Sequence, residues 1–310
     1  MTFSGPTAED WPIHQADVMA EASEIMVRKF LKWLESSAPM LDPDGVTPKL
    51  YRHPDGAVQP FDLFSGLDAE QARRVRTFVE SKGYEATELS THNDAKVKLQ
   101  NSLRDGHPFV LFLRSYSLEV SAYPAMRIAQ LNEIRRHRRI RALFAAAPPF
   151  IGLRNDMDRG SAAFFPTLDV PNEIWTHVVK ALIILAPVMV VRIQNRSPSV
   201  LVETAWIVER GKQNAAIVFV AKPMGEGEIR FLKTAGKMSD FLGFPPTHID
   251  EPIDSDDIRH IRSYGFTVIE EKDLEKNEDA VKLQVDGVMK TALKNWSRSA
   301  STSGEQDLPC

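Results

Sequence analysis

The chain has 310 residues, 43% of them hydrophobic and 26% charged, with a formal net charge of −4. This composition excludes a disordered or fibrous protein, and the acidic balance provides no general attraction for nucleic acid. A single cysteine, Cys310, excludes an intramolecular disulfide and suits a reducing compartment.

The N-terminal run Met-Thr-Phe-Ser-Gly-Pro has neither the basic start nor the apolar stretch of a signal peptide. The most apolar segment, Ala181 to Val191, is interrupted by Pro187 and falls short of the roughly 18 to 20 residues of a membrane span. A cytoplasmic protein with no membrane partner is the expectation.

In chain order, Val18, Ile25, Phe30 and Leu34 recur at helical spacing and predict a helix over residues 14–35. A loop rich in Pro, Asp and Gly follows, over 39–60. Asp68 is the N-cap of a second predicted helix that ends near Lys82, before Gly83, and a third short helix is expected over 95–103. Residues 1–104 therefore read as a helical accessory region.

From Pro108 the pattern changes to strands alternating with helices, which predicts a parallel sheet with crossover helices over 105–270. Apolar runs at 109–113, 150–153, 188–193 and 216–220 read as strands covered on both faces, with an edge strand at 266–269. Helices are expected over 124–144, 172–185, 198–210 and 228–242. Residues 271–310 read as a charged helix over 272–296 and a polar, disordered tail from Ser297.

Glu203 is the leading candidate for chemistry. Pro198 at a first helical position places Ser199 and Glu203 at i and i+4 on one face, among Val200, Leu201, Val202, Trp206 and Ile207. A carboxylate buried there would have a raised pKa, as suits a group acting near neutral pH. The same position also allows a plain pairing with an arginine or with the helix dipole.

Arg114 and Ser115 close the first strand of the predicted sheet. An arginine fork there suits a phosphate or ribose, or a pairing with Glu119. Asn155, Asp156 and Asp158 follow the second strand, where they would touch a ribose or a metal, or simply shape a turn.

The basic run Arg135 to Arg141 is spread around its helix and reads as a solvated face. Gly225-Glu-Gly227 lacks the further glycine or lysine of a phosphate loop. The eight histidines show no zinc spacing, so no metal site is expected.

Three segments carry a family resemblance: Pro108-Phe-Val-Leu-Phe-Leu-Arg-Ser-Tyr116, Trp175 with its apolar stripe, and Ser197-Pro-Ser-Val-Leu-Val-Glu203. Over about 108–223 their order resembles bacterial TIR-like proteins and the related nucleoside deoxyribosyltransferase-like folds. The resemblance implies an α/β, flavodoxin-like parallel sheet with helices on both faces, plus a helical N-terminal region and a C-terminal helix.

It also implies an N-glycosidase acting on a small-molecule nucleotide, hydrolysing NAD to nicotinamide and ADP-ribose in bacterial defence. Glu203 would be catalytic, with Arg114, Ser115, Ser199 and Asn155 binding the substrate. NAD would be a substrate, with no cofactor, and self-assembly into a homo-oligomer is implied as well.

Ser199 stands where relatives often have glycine and Val202 where they often have tryptophan. Those departures imply changed substrate choice or a non-catalytic nucleotide-binding or protein-interaction module. Deoxyribosyl transfer between bases is a third reading.

Overall fold

The computed structural model describes residues 12–42, 44–47, 49–52, 58–59, 67–88, 91–114, 139–144, 148–154, 166–193, 198–221 and 253–303. Helix α1 (Pro12–Ser36) is followed by β1 (Lys49–Arg52), β2 (Val58–Gln59), α2 (Ala69–Ser81) and β3 (Glu85–Glu88). The three strands form an antiparallel sheet in the order β2-β1-β3, which the periodicity of the region did not predict. The expected cap at Asp68 forms: its side chain accepts from the Gln71 N–H, and the Gln71 side chain accepts from the Asp68 N–H.

Helix α3 (His92–Arg104) leads into a six-stranded parallel sheet. Its elements run β4 (Val110–Arg114), β5 (Phe150–Arg154), β6 (Thr167–Asp169), α4 (Trp175–Leu185), β7 (Val188–Ile193), α5 (Pro198–Glu209), β8 (Ala216–Val220), α6 (Ser255–Ser263) and β9 (Thr267–Glu270). Strand order is β6-β5-β4-β7-β8-β9. Without the short edge strand β6, this is the flavodoxin-like winding of five strands; β6 extends it beyond β5.

The chain ends in α7 (Glu271–Lys276) and α8 (Glu278–Ser303), so Asn277 divides what reads in sequence as one helix. Helix α8 runs through Ser303, where a polar tail was expected from Ser297. The predicted helix over 228–242 lies outside the described residues, as does most of that over 124–144.

Two cores sandwich the sheet. One face joins Leu111, Leu113, Met189 and Val191 to α4, α5 and α6, and also to Phe30 and Leu34 of α1 and Leu99 of α3. The other joins Val110, Phe112, Val188 and Val190 to Leu274 of α7 and to Val281, Val285 and Met289 of α8. Helices α1 and α3 of the N-terminal region are therefore part of the cover of the sheet. Strands β4, β5, β7 and β8 are apolar runs, interrupted only by Arg114, Arg154 and Arg192 near their ends, because neither face meets water.

Candidate functional site

In a doubly wound sheet the crevice for ligands opens beyond the carboxyl ends of the strands, where the winding reverses direction. Here that point falls between β4 and β7, which are paired in register from Val110 with Val188 to Arg114 with Arg192. Helix α5 follows β7, and helix α4 starts at Trp175 after a 3-10 turn at Asn172–Ile174. Both helices run back across the same face, so their N-terminal ends lie toward the carboxyl edge.

Glu203 lies in the second turn of α5. The helix buries Val200, Glu203, Thr204 and Ile207 and leaves Leu201 and Val202 each 44% exposed. A helix that turns a carboxyl inward and two aliphatic side chains outward inverts the usual burial preference.

Glu203 is 1% exposed, and neither carboxyl oxygen has a well-aligned hydrogen bond. Among the described residues no lysine or arginine pairs with it. Lys180 of α4 sits instead over the Trp206 ring, 4.6 Å from its centroid. Burial pushes the Glu203 pKa up to about 8, and the Trp175 side chain, near enough to favour the charged form, offsets only part of that. At neutral pH the group is mainly protonated.

Arg114 is buried at the end of β4. It follows Phe112 by two residues, so strand alternation turns it toward the α7–α8 face, whereas Glu203 belongs to the α4–α5 face. The two predicted site residues share the carboxyl edge but not a side of the sheet. Ser199 lies in the first turn of α5, and Ser115 and Asn155 lie outside the described residues.

Two further arginines close neighbouring strands. Arg192 ends in an ion pair with Glu271, Nε to Oε1 at 2.7 Å. Arg154 pairs with Asp169: Nε donates to Oδ1 at 2.8 Å, and Nη2 lies 2.7 Å from the same oxygen without hydrogen-bond alignment. Arg154 Nη1 is buried without an acceptor.

Sequence reading singled out Arg114 alone. The signal for the others was present: Leu113-Arg114, Leu153-Arg154 and Val191-Arg192 each end an apolar run in arginine.

Beyond the ends of β8 and β9 a cavity of about 220 Å³ is lined by Val220, Ala221, Ile253, Ile258 and Glu271 among others. Glu271 thus contributes to the cavity wall and holds Arg192. Among the described residues no three His, Cys, Asp or Glu side chains gather as metal ligands would, and no helix is long and apolar enough to cross a membrane.

No family model matches the chain, and no curated protein or solved structure matches it either.

Proposed function

We propose that the protein is a TIR-like nucleotide N-glycosidase that hydrolyses NAD to nicotinamide and ADP-ribose, with Glu203 as its catalytic residue. The observation that carries this reading is a carboxyl group buried without a cation among the described residues, on the helix that follows the strand at the reversal of winding. Burying such a group costs several kcal/mol of ionisation free energy, a cost that serves chemistry better than packing.

Cleavage of the bond between ribose and the cationic nicotinamide leaves an electron-poor anomeric carbon. The electron pair of the breaking bond goes to the nicotinamide nitrogen, so that leaving group needs no proton. The Glu203 carboxylate would stabilise the developing positive charge. Water then adds to the same carbon and one proton is released.

The cationic ring also favours ionisation of Glu203, so the substrate itself would help to charge its catalyst. Both oxygens are sealed from solvent, so substrate reaches them only if their cover opens.

That sealed environment also supports a second reading, a non-catalytic module whose exposed Leu201 and Val202 meet a protein partner. Incubation of the purified protein with NAD, across a range of protein concentration, tests both. Release of nicotinamide that is lost in Glu203→Gln supports the enzyme. Equal release by the variant, or none by either protein while the folded protein binds a partner through Leu201 and Val202, supports the module. A role in bacterial defence belongs to the first reading and rests on the resemblance.

A further inference from the structure

Helices α4 and α5 run in one direction away from the carboxyl edge of the sheet, and two tryptophans stand where they meet. Trp175 opens α4 and lies near Glu203, in the second turn of α5. Farther along the same contact, Lys180 of α4 is over the ring of Trp206 of α5, its ammonium 4.6 Å from the ring centroid. Glu203 and Trp206 are three residues apart on one helix, so their side chains are neighbours.

The face of an indole ring carries negative charge and holds cations better than any other side-chain ring. The lysine over Trp206 shows that this face accepts one. Among the described residues no carboxylate pairs with the Lys180 ammonium, and both Lys180 and Trp206 are half-buried, whereas Glu203 is fully buried. A flexible side chain held by a ring alone is readily displaced. A planar cation makes the same electrostatic contact and adds stacking over the whole ring.

We infer that Trp206 is a substrate-binding residue, whose ring receives a planar cationic ring in place of the Lys180 ammonium. The inference deepens the proposed function, on which the nature of that cation, the pyridinium of NAD, rests. A pyridinium stacked on Trp206 has its glycosidic bond on the side of Glu203, the next side chain along the helix face. Cleavage leaves the nicotinamide ring neutral. The attraction to Trp206 then fades and Lys180 can return, which favours release of the product.

The test is calorimetric binding, to the full chain, of the ring-N-methylated nicotinamide cation and of neutral nicotinamide. The methylated cation keeps the charged ring and has no bond to ribose, so its binding is read apart from cleavage. It should bind about three- to tenfold more tightly than nicotinamide. Lys180→Met removes the competing ammonium and should tighten binding of the cation by a similar factor.

Trp206→Leu should abolish the preference for the cation, and Trp206→Phe should restore part of it. A purely structural tryptophan would instead affect the cation and the neutral ring alike. In NAD cleavage, Trp206→Leu should raise KM more than it lowers kcat, because the contact is made with the charged ring of the bound substrate.

Equal affinity for the cation and the neutral ring overturns the inference, as does a cation preference that survives in folded Trp206→Leu. If that variant does not fold, cation binding that is unchanged or weaker in Lys180→Met overturns it equally. NAD cleavage with no cation preference removes Trp206 from the site and leaves the glycosidase. A cation preference that depends on Trp206, without cleavage, keeps the site and removes the glycosidase.

Discussion

The backbone N–H of Asp169 donates to Nδ1 of His92 at 3.0 Å, and that bond dictates which form of the imidazole the fold accepts. A ring nitrogen that accepts carries no proton, so the proton of the neutral ring is on Nε2, 3.2 Å from the Ser37 hydroxyl. The Asp169 carboxylate meanwhile holds Arg154 through Oδ1 and accepts from the Met40 N–H through Oδ2 at 2.9 Å. Edge strand β6, helix α3 and the segment after α1 are joined at this one place.

Acidification should therefore weaken the attachment of the N-terminal region. Burial holds His92 below its ordinary pKa of 6.5, opposed in part by Asp169 and assisted by Lys96 and Arg154. The unfolded chain takes up this proton near pH 6.5 and the folded chain only at lower pH. Its contribution to stability is full above 6.5 and is lost as the pH falls toward the folded value. His92→Leu should cost about 1–3 kcal/mol at pH 7.5, because the Asp169 N–H loses its acceptor. Urea unfolding from pH 7.5 to 5 should show a shallower acid loss in the variant, and identical slopes would remove the histidine from the account.

Glu203 should impose the opposite slope. Its folded pKa is about 8 against an ordinary 4.5, so the folded protein binds this proton more tightly than the unfolded chain does. Stability from this group is full below about 4.5 and is lost as the pH rises toward about 8, by a total on the order of 5 kcal/mol. Glu203→Gln keeps the volume and removes the ionisation. The variant should gain on the unaltered protein steadily between pH 5 and 8.5 in urea unfolding. Parallel curves would mean that the carboxyl is not buried as described.

Arg76 governs a contact within the N-terminal region. It is buried on α2, donating to Asp42 at 2.8 Å and to Asp44 at 2.7 and 2.9 Å. The arginine beside Asp44 holds that carboxyl below its usual range. Arg76→Met strands both acids, and removal of one partner from a buried ion pair costs about 3–5 kcal/mol. Hydrogen exchange should show α2 opening far more readily, with the strands of the large sheet little changed. Protection of α2 equal to that of the unaltered protein would show the pairing to be energetically idle.

The parts readable from sequence are those in which burial and local pattern coincide. Strands β4, β5, β7 and β8 are apolar runs because both faces are covered, and α5 begins at Pro198 because proline fixes the first helical turn. Strand β6 escaped notice because Thr-Leu-Asp is too short to show any period. Lys-Leu-Tyr-Arg and Glu-Ala-Thr-Glu in β1 and β3 have too few apolar residues to declare themselves.

Glu203 was visible as a carboxylate among aliphatic residues, but apolar neighbours on both sides of it hide which face is buried. Packing against α4 makes that choice, and leaves Leu201 and Val202 outside. That Arg114 and Arg192 stand side by side depends on strand register, which a chain read in one dimension does not contain.

Catalysis, under the proposed function, should follow the ionisation of Glu203. In the free protein the carboxyl is mainly neutral below about pH 8. The form able to stabilise a developing positive charge is therefore the minor one at neutrality. The pH profile of kcat/KM for NAD reports the free enzyme and should rise with a midpoint near 8 before levelling off. The profile of kcat reports the complex, where the cationic ring favours the carboxylate and should move the midpoint to lower pH. Binding of NAD to the protein at pH 7 should accordingly release protons, measurable as a buffer-dependent heat. A kcat/KM profile that falls through pH 8 would assign Glu203 the role of an acid, and a flat one would take it out of the reaction altogether.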